Sequence, residues 1–125
     1  MSWQAVGVST PETGAQSGPT YVPIPAISEA LDLIITKTHQ LIKDGLLVAV
    51  RRDGALRMPA EFIQDGLIVK GLSGTITLLR DNGFNDQEII DWLFDADESL
   101  PGTPMEALRG NRGTEIKRRA QSAGW

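Results

Sequence analysis

The sequence contains no cysteine, which excludes disulfide bonds and thiolate metal sites. Its single histidine, His39, lacks serine and aspartate partners or metal-ligand spacing, so a structural role is predicted for it. The phosphate-binding patterns GxxxxGK and GxGxxG are also missing. No apolar run approaches the roughly 20 residues that span a membrane, and no secretory signal is recognisable. These absences predict a cytoplasmic protein that is not an enzyme, uses no cofactor or metal and does not contact a membrane.

Positive charge is concentrated in two segments of an acidic chain. The 125 residues, 41% of them hydrophobic, suffice for one domain or two very small ones and carry a net charge of -4. Residues 36–57 hold five basic and two acidic residues (5 - 2 = +3), and residues 109–119 are basic again, whereas residues 81–98 hold seven carboxylates without Lys or Arg. Association responds to local potential more than to total charge. The basic segments are therefore candidate binding surfaces, and simple solvated faces are the alternative.

Two short helices are predicted after an N-terminal tail. Residues 1–20 are rich in Gly, Ser, Thr and Pro without periodicity, which is typical of a disordered tail. Helical spacing follows over residues 26–31 and 35–44, joined by a turn, and Gly45 suits a left-handed C-terminal cap. The second helix is predicted to bury one face and to expose another. The buried face holds Ile35, Thr38 and Ile42, and the exposed face holds Lys37, Gln40 and Lys43.

A β-hairpin is predicted directly after the second helix. The segment "LLVAVRR" is strand-like, and Asp53-Gly54 is typical of a two-residue turn in which both residues have positive φ. The segment "ALRM" then forms the returning strand. This register pairs Arg52 with Ala55, so Arg52 and Arg57 share one face of the hairpin and Arg51 lies on the other.

The remaining chain is predicted to be helical. The segment "PAEFIQ" from Pro59 favours a short helix, and residues 67–69 favour an extended segment. A longer helix over residues 70–81 has Leu72, Ile76 and Leu79 at near-helical spacing. Capping patterns start two further helices, at Asn85 with Glu88 and at Thr103-Pro104 with Glu106, and a last helix covers residues 114–123.

The most specific chemistry in this pattern is DNA binding. A helix with one polar, partly basic face, held by a partner helix, fits the major groove of B-DNA, and arginines on a hairpin can contact the backbone or the minor groove. Lysines suit phosphate contacts, while Thr36, His39 and Gln40 could reach base edges. Taken singly, each residue could equally be an ordinary exposed side chain. The predicted DNA-binding residues are Thr36, Lys37, Gln40, Lys43, Arg51, Arg52 and Arg57.

The N-terminal half resembles the helix–turn–helix-plus-wing unit of the MerR and excisionase class. The resemblance lies in "VPIPAISEALDL", "ITKTHQLIKDGLLVAVRR" and "GALRMPAEFI". It implies that helix 35–44 is a recognition helix and that residues 51–57 form a wing. The chain departs from this class at Asp32, which stands where the turn usually has glycine.

From about Tyr21 onward, the chain also resembles a narrower group of small actinobacterial winged-helix DNA-binding proteins that are substrates of a transmembrane Ser/Thr kinase. The resembling segments are "GLLVAVRRDG", "LIVKGLSGTITLLRDNGFNDQEIIDWLF" and "EIKRRAQSAGW". The resemblance implies phosphorylation of a tail threonine and loss of DNA binding. Thr10 and Thr13 are both candidates here, and a phosphate would add about -1.5 to -2 charges.

The C-terminal half resembles the partner-binding domain of certain Xre-type antitoxins in "WLFDADESLPGTPMEALRGNRGTEIKRRA". This implies a helical module for self-association or for binding a protein partner.

The predicted fold is mostly α with a small β-hairpin wing. It consists of a tail (1–20), a winged helix–turn–helix (21–64) and a C-terminal helical module (67–125). The predicted function is a DNA-binding transcriptional regulator or nucleoid-associated factor that tail phosphorylation switches off. The alternatives are a protein-interaction adaptor without DNA binding and an antitoxin-like partner protein.

Overall fold

Six helices and two small antiparallel sheets form the residues that the computed structural model describes, 18–96 and 102–123. This is the mostly α fold with a winged helix–turn–helix that the sequence predicts. The elements in chain order are β1 (Tyr21–Pro23), α1 (Ile24–Leu31), α2 (Ile35–Lys43), β2 (Val50–Arg52), β3 (Ala55–Pro59), a 3₁₀ turn (Ala60–Phe62), β4 (Ile63–Gln64), β5 (Leu67–Ile68), α3 (Leu72–Asp81), α4 (Asp86–Leu93), α5 (Pro104–Arg109) and α6 (Gly113–Ser122).

The wing is a three-stranded sheet in the order β1-β3-β2. Its hairpin has the predicted register, with Arg52 opposite Ala55, and the turn residues Asp53 and Gly54 have φ of 54° and 80°. The third strand, β1, was not predicted. It pairs with β3 from Tyr21 opposite Pro59 and ties the start of the fold to the wing.

The predicted strand "LLVAVRR" is wrong at its start, because only β2 at its end is extended in the sheet. Leu47, Val48 and Ala49 are all buried, so they lack the alternation of a strand with one exposed face. At this edge of the sheet, Val48 would have to pair with Pro59, which has no amide hydrogen to donate.

The predicted helix over residues 59–64 is also wrong. One 3₁₀ turn is followed by a second hairpin, in which β4 and β5 flank Asp65 and Gly66. These two residues have φ of 55° and 79°, as in the turn of the wing. The positive φ that Asp-Gly favours ends any helix here.

Helices α1 and α2 meet at a left-handed turn residue. Asp32 takes φ 56° and ψ 46°, the conformation for which glycine is usual and which aspartate tolerates better than most residues. Between the helices, the Ser28 hydroxyl donates to Thr38 Oγ1 across 2.7 Å in the core. Asp32 therefore supplies the turn geometry that glycine gives in related turns.

The C-terminal helices follow the predicted caps closely. Asn85 Oδ1 accepts from the Glu88 amide, and Thr103 Oγ1 accepts from the Glu106 amide, each within a complete capping box. Gly110 follows α5 as predicted. The residues predicted to bury one face of α3 have no exposed surface, and they are Leu72, Ile76 and Leu79.

One hydrophobic core includes residues from both halves of the chain. The rings of Phe62, beside the wing, and Phe94, after α4, lie 6.4 Å apart between centroids. Arg109 in α5 donates to the carbonyl oxygens of Glu61 at 2.7 Å and Ile63 at 3.1 Å. The C-terminal helices therefore contact the 3₁₀ turn and the strand β4 that follow the wing. None of the helices in the described ranges is long and apolar enough to cross a membrane.

Candidate nucleic-acid interface

Most residues of helix α2 are exposed to solvent, and the helix packs on the core through three side chains. Thr38 is its only fully buried residue, and Leu41 and Ile42 are half-buried against the core. Ile35, predicted to lie in the core, is instead 44% exposed. Leu33 and Ile34, which precede Ile35, are exposed as well, so the first turn of α2 is not packed into the core. A helix this exposed is suited to contact another molecule along most of its surface.

The predicted polar face of α2 is open to solvent. Lys37 and Lys43 are exposed, and neither forms an ion pair within the described part of the chain. Gln40 Nε2 donates to Asp44 Oδ1 at 2.8 Å, one helical turn further on. Thr36 and His39 are exposed beside these residues, so all the polar residues predicted for the helix share one accessible surface.

The three wing arginines have different surroundings. Arg52 stacks on the Tyr21 ring at 4.2 Å from its centroid, and Arg57 Nε donates to the Arg52 carbonyl at 3.1 Å. Arg51 lies opposite Leu56 on the other face of the hairpin and is exposed. Within the described residues Arg51 has no hydrogen-bond or ion-pair partner, so it is the wing arginine most available to a ligand.

The acidic helix α4 lies beside Arg52. Gln87 on this helix donates to the Tyr21 hydroxyl at 3.3 Å. An open concavity of about 610 Å³ between the wing and α4 is lined by Arg52 together with Glu88, Asp91 and Asp95. The carboxylates therefore face the side of the wing that holds Arg52, while Arg51 points from the opposite face.

Three consecutive apolar side chains are exposed where α2 begins, and sequence reasoning missed them. Leu33, Ile34 and Ile35 expose 39%, 68% and 44% of their surface. The signal was present as an apolar triplet immediately before a polar helix face. Because that triplet also fits a helix that starts in the core, periodicity alone misplaces it.

The candidate phosphorylation sites Thr10 and Thr13 lie outside the described residues. The described chain begins at Gly18, which lines the concavity that contains Arg52. The Thr20 amide donates to both carboxylate oxygens of Glu61, at 3.0 and 3.2 Å. The tail is therefore joined to the fold beside the wing.

An exposed second helix, a turn that holds it against a first helix and a basic hairpin define a winged helix–turn–helix protein with an appended helical region. Residues 15–63 match the family described as the DNA-binding protein Rv2175c winged helix–turn–helix domain, and residues 69–124 match the Rv2175c C-terminal domain of unknown function. The chain belongs to the Rv2175c family.

A sequence comparison and a structure comparison agree with this assignment. The DNA-binding protein Rv2175c of Mycobacterium tuberculosis is 38% identical over an alignment of 117 residues, which covers 83% of this chain and 80% of the relative. The NMR structure of Rv2175c superposes with a TM-score of 0.78 at 32% identity, covering 91% of this chain and 87% of the other.

Proposed function

We propose that this protein binds duplex DNA through α2 and the wing, and that it acts in the cytoplasm as a transcriptional regulator or nucleoid-associated factor. The observation that carries the proposal is the exposure of α2 on every side except at Thr38 and the adjoining Leu41 and Ile42. Most of the α2 surface therefore does not pack against the rest of the protein. Its surface instead suits the major groove, which is about 12 Å wide and admits an α-helix.

Each exposed residue has a role in this arrangement. Lys37, Lys43 and Arg51 are unpaired cations in the described structure and would contact phosphates. Base edges would meet Thr36, His39 and Gln40, because residues of the recognition helix reach them in the groove. The exposed apolar triplet at the start of α2 would meet thymine methyl groups. Arg52 and Arg57 would add positive potential from positions fixed by the wing.

Amide chemical shifts in a ¹⁵N spectrum, recorded as a mixed-sequence duplex is added, would test which face binds. The largest shifts are expected in α2 and at the β2–β3 turn, with small shifts in α4, because its carboxylates repel phosphate. Shifts largest in α4, or absent everywhere at low salt, would contradict DNA binding by this face.

A protein-interaction adaptor, or an antitoxin-like partner protein, is the second candidate function. It is favoured by the acidic concavity, where Glu88, Asp91 and Asp95 surround the half-buried Trp92. A cationic protein segment would fit there, by self-association or in a complex. In the same spectra, no response to DNA would favour this function over the first.

We further propose that a Ser/Thr protein kinase controls binding through Thr10 or Thr13. Thr13 lies five residues before Gly18, and an extended chain of that length reaches at most about 18 Å, so its phosphate could approach Arg52, which lines the same concavity as Gly18. A doubly charged phosphate there would offset the positive potential that Arg52 adds to the wing, and so would weaken DNA binding. Protein phosphorylated to one phosphate per chain is expected to bind a duplex more weakly than untreated protein.

Alanine variants would identify the phosphorylated residue. Incubation with the kinase should no longer weaken duplex binding in the variant, Thr13→Ala or Thr10→Ala, that removes the phosphorylated threonine. If the phosphorylated wild type bound the duplex as tightly as untreated protein, phosphorylation would not control binding. The proposal that the protein binds DNA would be unaffected.

A further inference from the structure

Two lysines of the C-terminal region share one concavity beside the start of α3. Lys70 and Lys117 line this hollow of about 310 Å³ with Gly71, Gly113 and other small or polar residues. The Lys117 side chain lies across Gly74, where a Cβ would come within 2.9 Å of Lys117 Cε. Glycine at this position lets the lysine stem lie flat on α3. Two lysines from different parts of the chain thus line the same hollow.

Most other cations of this region already have partners within the protein. Arg80 pairs with Asp86 at 2.9 Å. Glu115 accepts from Arg112 at 2.9 Å and from Arg119 at 3.2 Å, and these bonds, Arg112 foremost, lower the pKa of Glu115 below its usual value. That carboxylate therefore remains charged and keeps both arginines engaged.

Lys70 and Lys117 differ from these arginines. Neither lysine side chain has an ion-pair or hydrogen-bond partner among residues 18–96 and 102–123. Two unneutralised cations that line one hollow raise the local positive potential there. The pair is therefore suited to an external anionic ligand.

Helix α3 contacts both the segment that follows α2 and Lys117. Ser73 Oγ donates to the Leu46 carbonyl at 2.8 Å, and the Leu46 amide donates to Leu41 in the last turn of α2 at 3.0 Å. Ser73 directly precedes Gly74, on which Lys117 lies. Further along α3, Arg80 shares a concavity with Lys43. The start of α3 thus connects the recognition helix to the two lysines.

We infer that Lys70 and Lys117 form a second phosphate-contact surface, through which the C-terminal domain of this protein extends the DNA interface beyond α2 and the wing. This inference rests on the proposed function. A duplex is a repeating array of phosphates, so a backbone that leaves α2 at Lys43 can continue over the neighbouring elements. Lysine suits such contacts because it binds phosphate as a point charge without requiring fixed geometry.

The test compares single-charge variants in a fluorescence anisotropy titration with a mixed-sequence duplex long enough to extend past α2. Lys117→Gln and Lys70→Gln remove one charge each and keep part of the side-chain stem. Arg118→Gln is the matched control, because Arg118 is the exposed neighbour on the same helix and lines a different concavity with Trp92 and Asp95. All three variants change the net charge equally, so only local contact distinguishes them.

Each lysine variant is expected to reduce the slope of log K against log salt by about 0.9, and the double variant by about 1.8. Arg118→Gln is expected to keep the wild-type slope. Equal effects of all three variants, or wild-type slopes for the lysine variants when the wild type binds, would overturn the inference and leave the proposed function intact. No binding by the wild type would instead overturn the proposed function. Circular dichroism of each variant separates these outcomes from a loss of fold.

Discussion

Joint replacement of Lys37, Lys43 and Arg51 by glutamine is expected to abolish most of the salt-dependent affinity for duplex DNA. Each phosphate contact contributes about 0.9 to the slope of log K against log salt, so three contacts contribute about 2.7. The three cations are exposed and have no ion pair within the described residues, and their removal should leave the core unchanged. Anisotropy titrations of wild type and variant at several salt concentrations measure the difference.

A charge-conserving triple variant is the control for this experiment. Lys37→Arg, Lys43→Arg and Arg51→Lys keep the three positive charges and alter only their shape. Because non-specific phosphate contacts depend chiefly on charge, this variant should keep most of the wild-type slope. Equal slopes for the glutamine variant and the wild type would show that another surface meets the DNA.

Phe62→Ala is expected to lower the free energy of unfolding by about 3–5 kcal/mol, the range for removing a buried aromatic ring. Phe62 has no exposed surface and contacts the Phe94 ring across the two halves of the chain. Arg109 fixes the carbonyl groups on either side of it, so the backbone is poorly placed to collapse into the cavity. Urea denaturation followed by circular dichroism measures the loss.

The control for Phe62→Ala is Leu67→Ala, because Leu67 lies in β5 and is 69% exposed. Its replacement should change stability by less than about 0.5 kcal/mol. Both proteins should unfold in one transition, since one core joins the two halves. A loss below about 1 kcal/mol in Phe62→Ala, or separate transitions for the two halves, would contradict this account of the core.

Features specified by neighbouring residues could be predicted from the sequence. The capping boxes at Asn85 and Thr103 depend on groups three residues apart, and both are present. The register of the wing follows from Asp53-Gly54 because a two-residue turn fixes which residues face each other. The same argument applies to Asp65-Gly66. The second hairpin was not predicted because "PAEFIQ" was interpreted as a helix, although its turn has the same Asp-Gly pair as the wing.

Features that depend on contacts between residues far apart in the sequence could not be predicted from local patterns. Strand β1 forms because β3 offers it an edge some 35 residues away, and a tripeptide with one proline carries little strand signal of its own. Ile35 has the spacing of a core residue, yet it is 44% exposed. Periodicity indicates which residues share a face, whereas packing against elements distant in the sequence decides how much of that face is covered.

The candidate site shows the same division. The polar face of α2 is a local property and is exposed as predicted. The wing arginines divide into two faces as the register predicts, but the stacking of Arg52 on Tyr21 depends on the unpredicted strand β1. Lys70 and Lys117 line one hollow only because Lys117 in α6 packs against Gly74 in α3. These two residues are more than 40 positions apart in the sequence.

The salt dependence of wild-type binding to a mixed-sequence duplex tests the central claim most directly. With Lys37, Lys43, Arg51, Lys70 and Lys117 as phosphate contacts, the slope of log K against log salt should be about -4.5. A slope near zero, or no binding at low ionic strength, would contradict the claim that α2, the wing and the hollow lined by Lys70 and Lys117 form one DNA-binding surface.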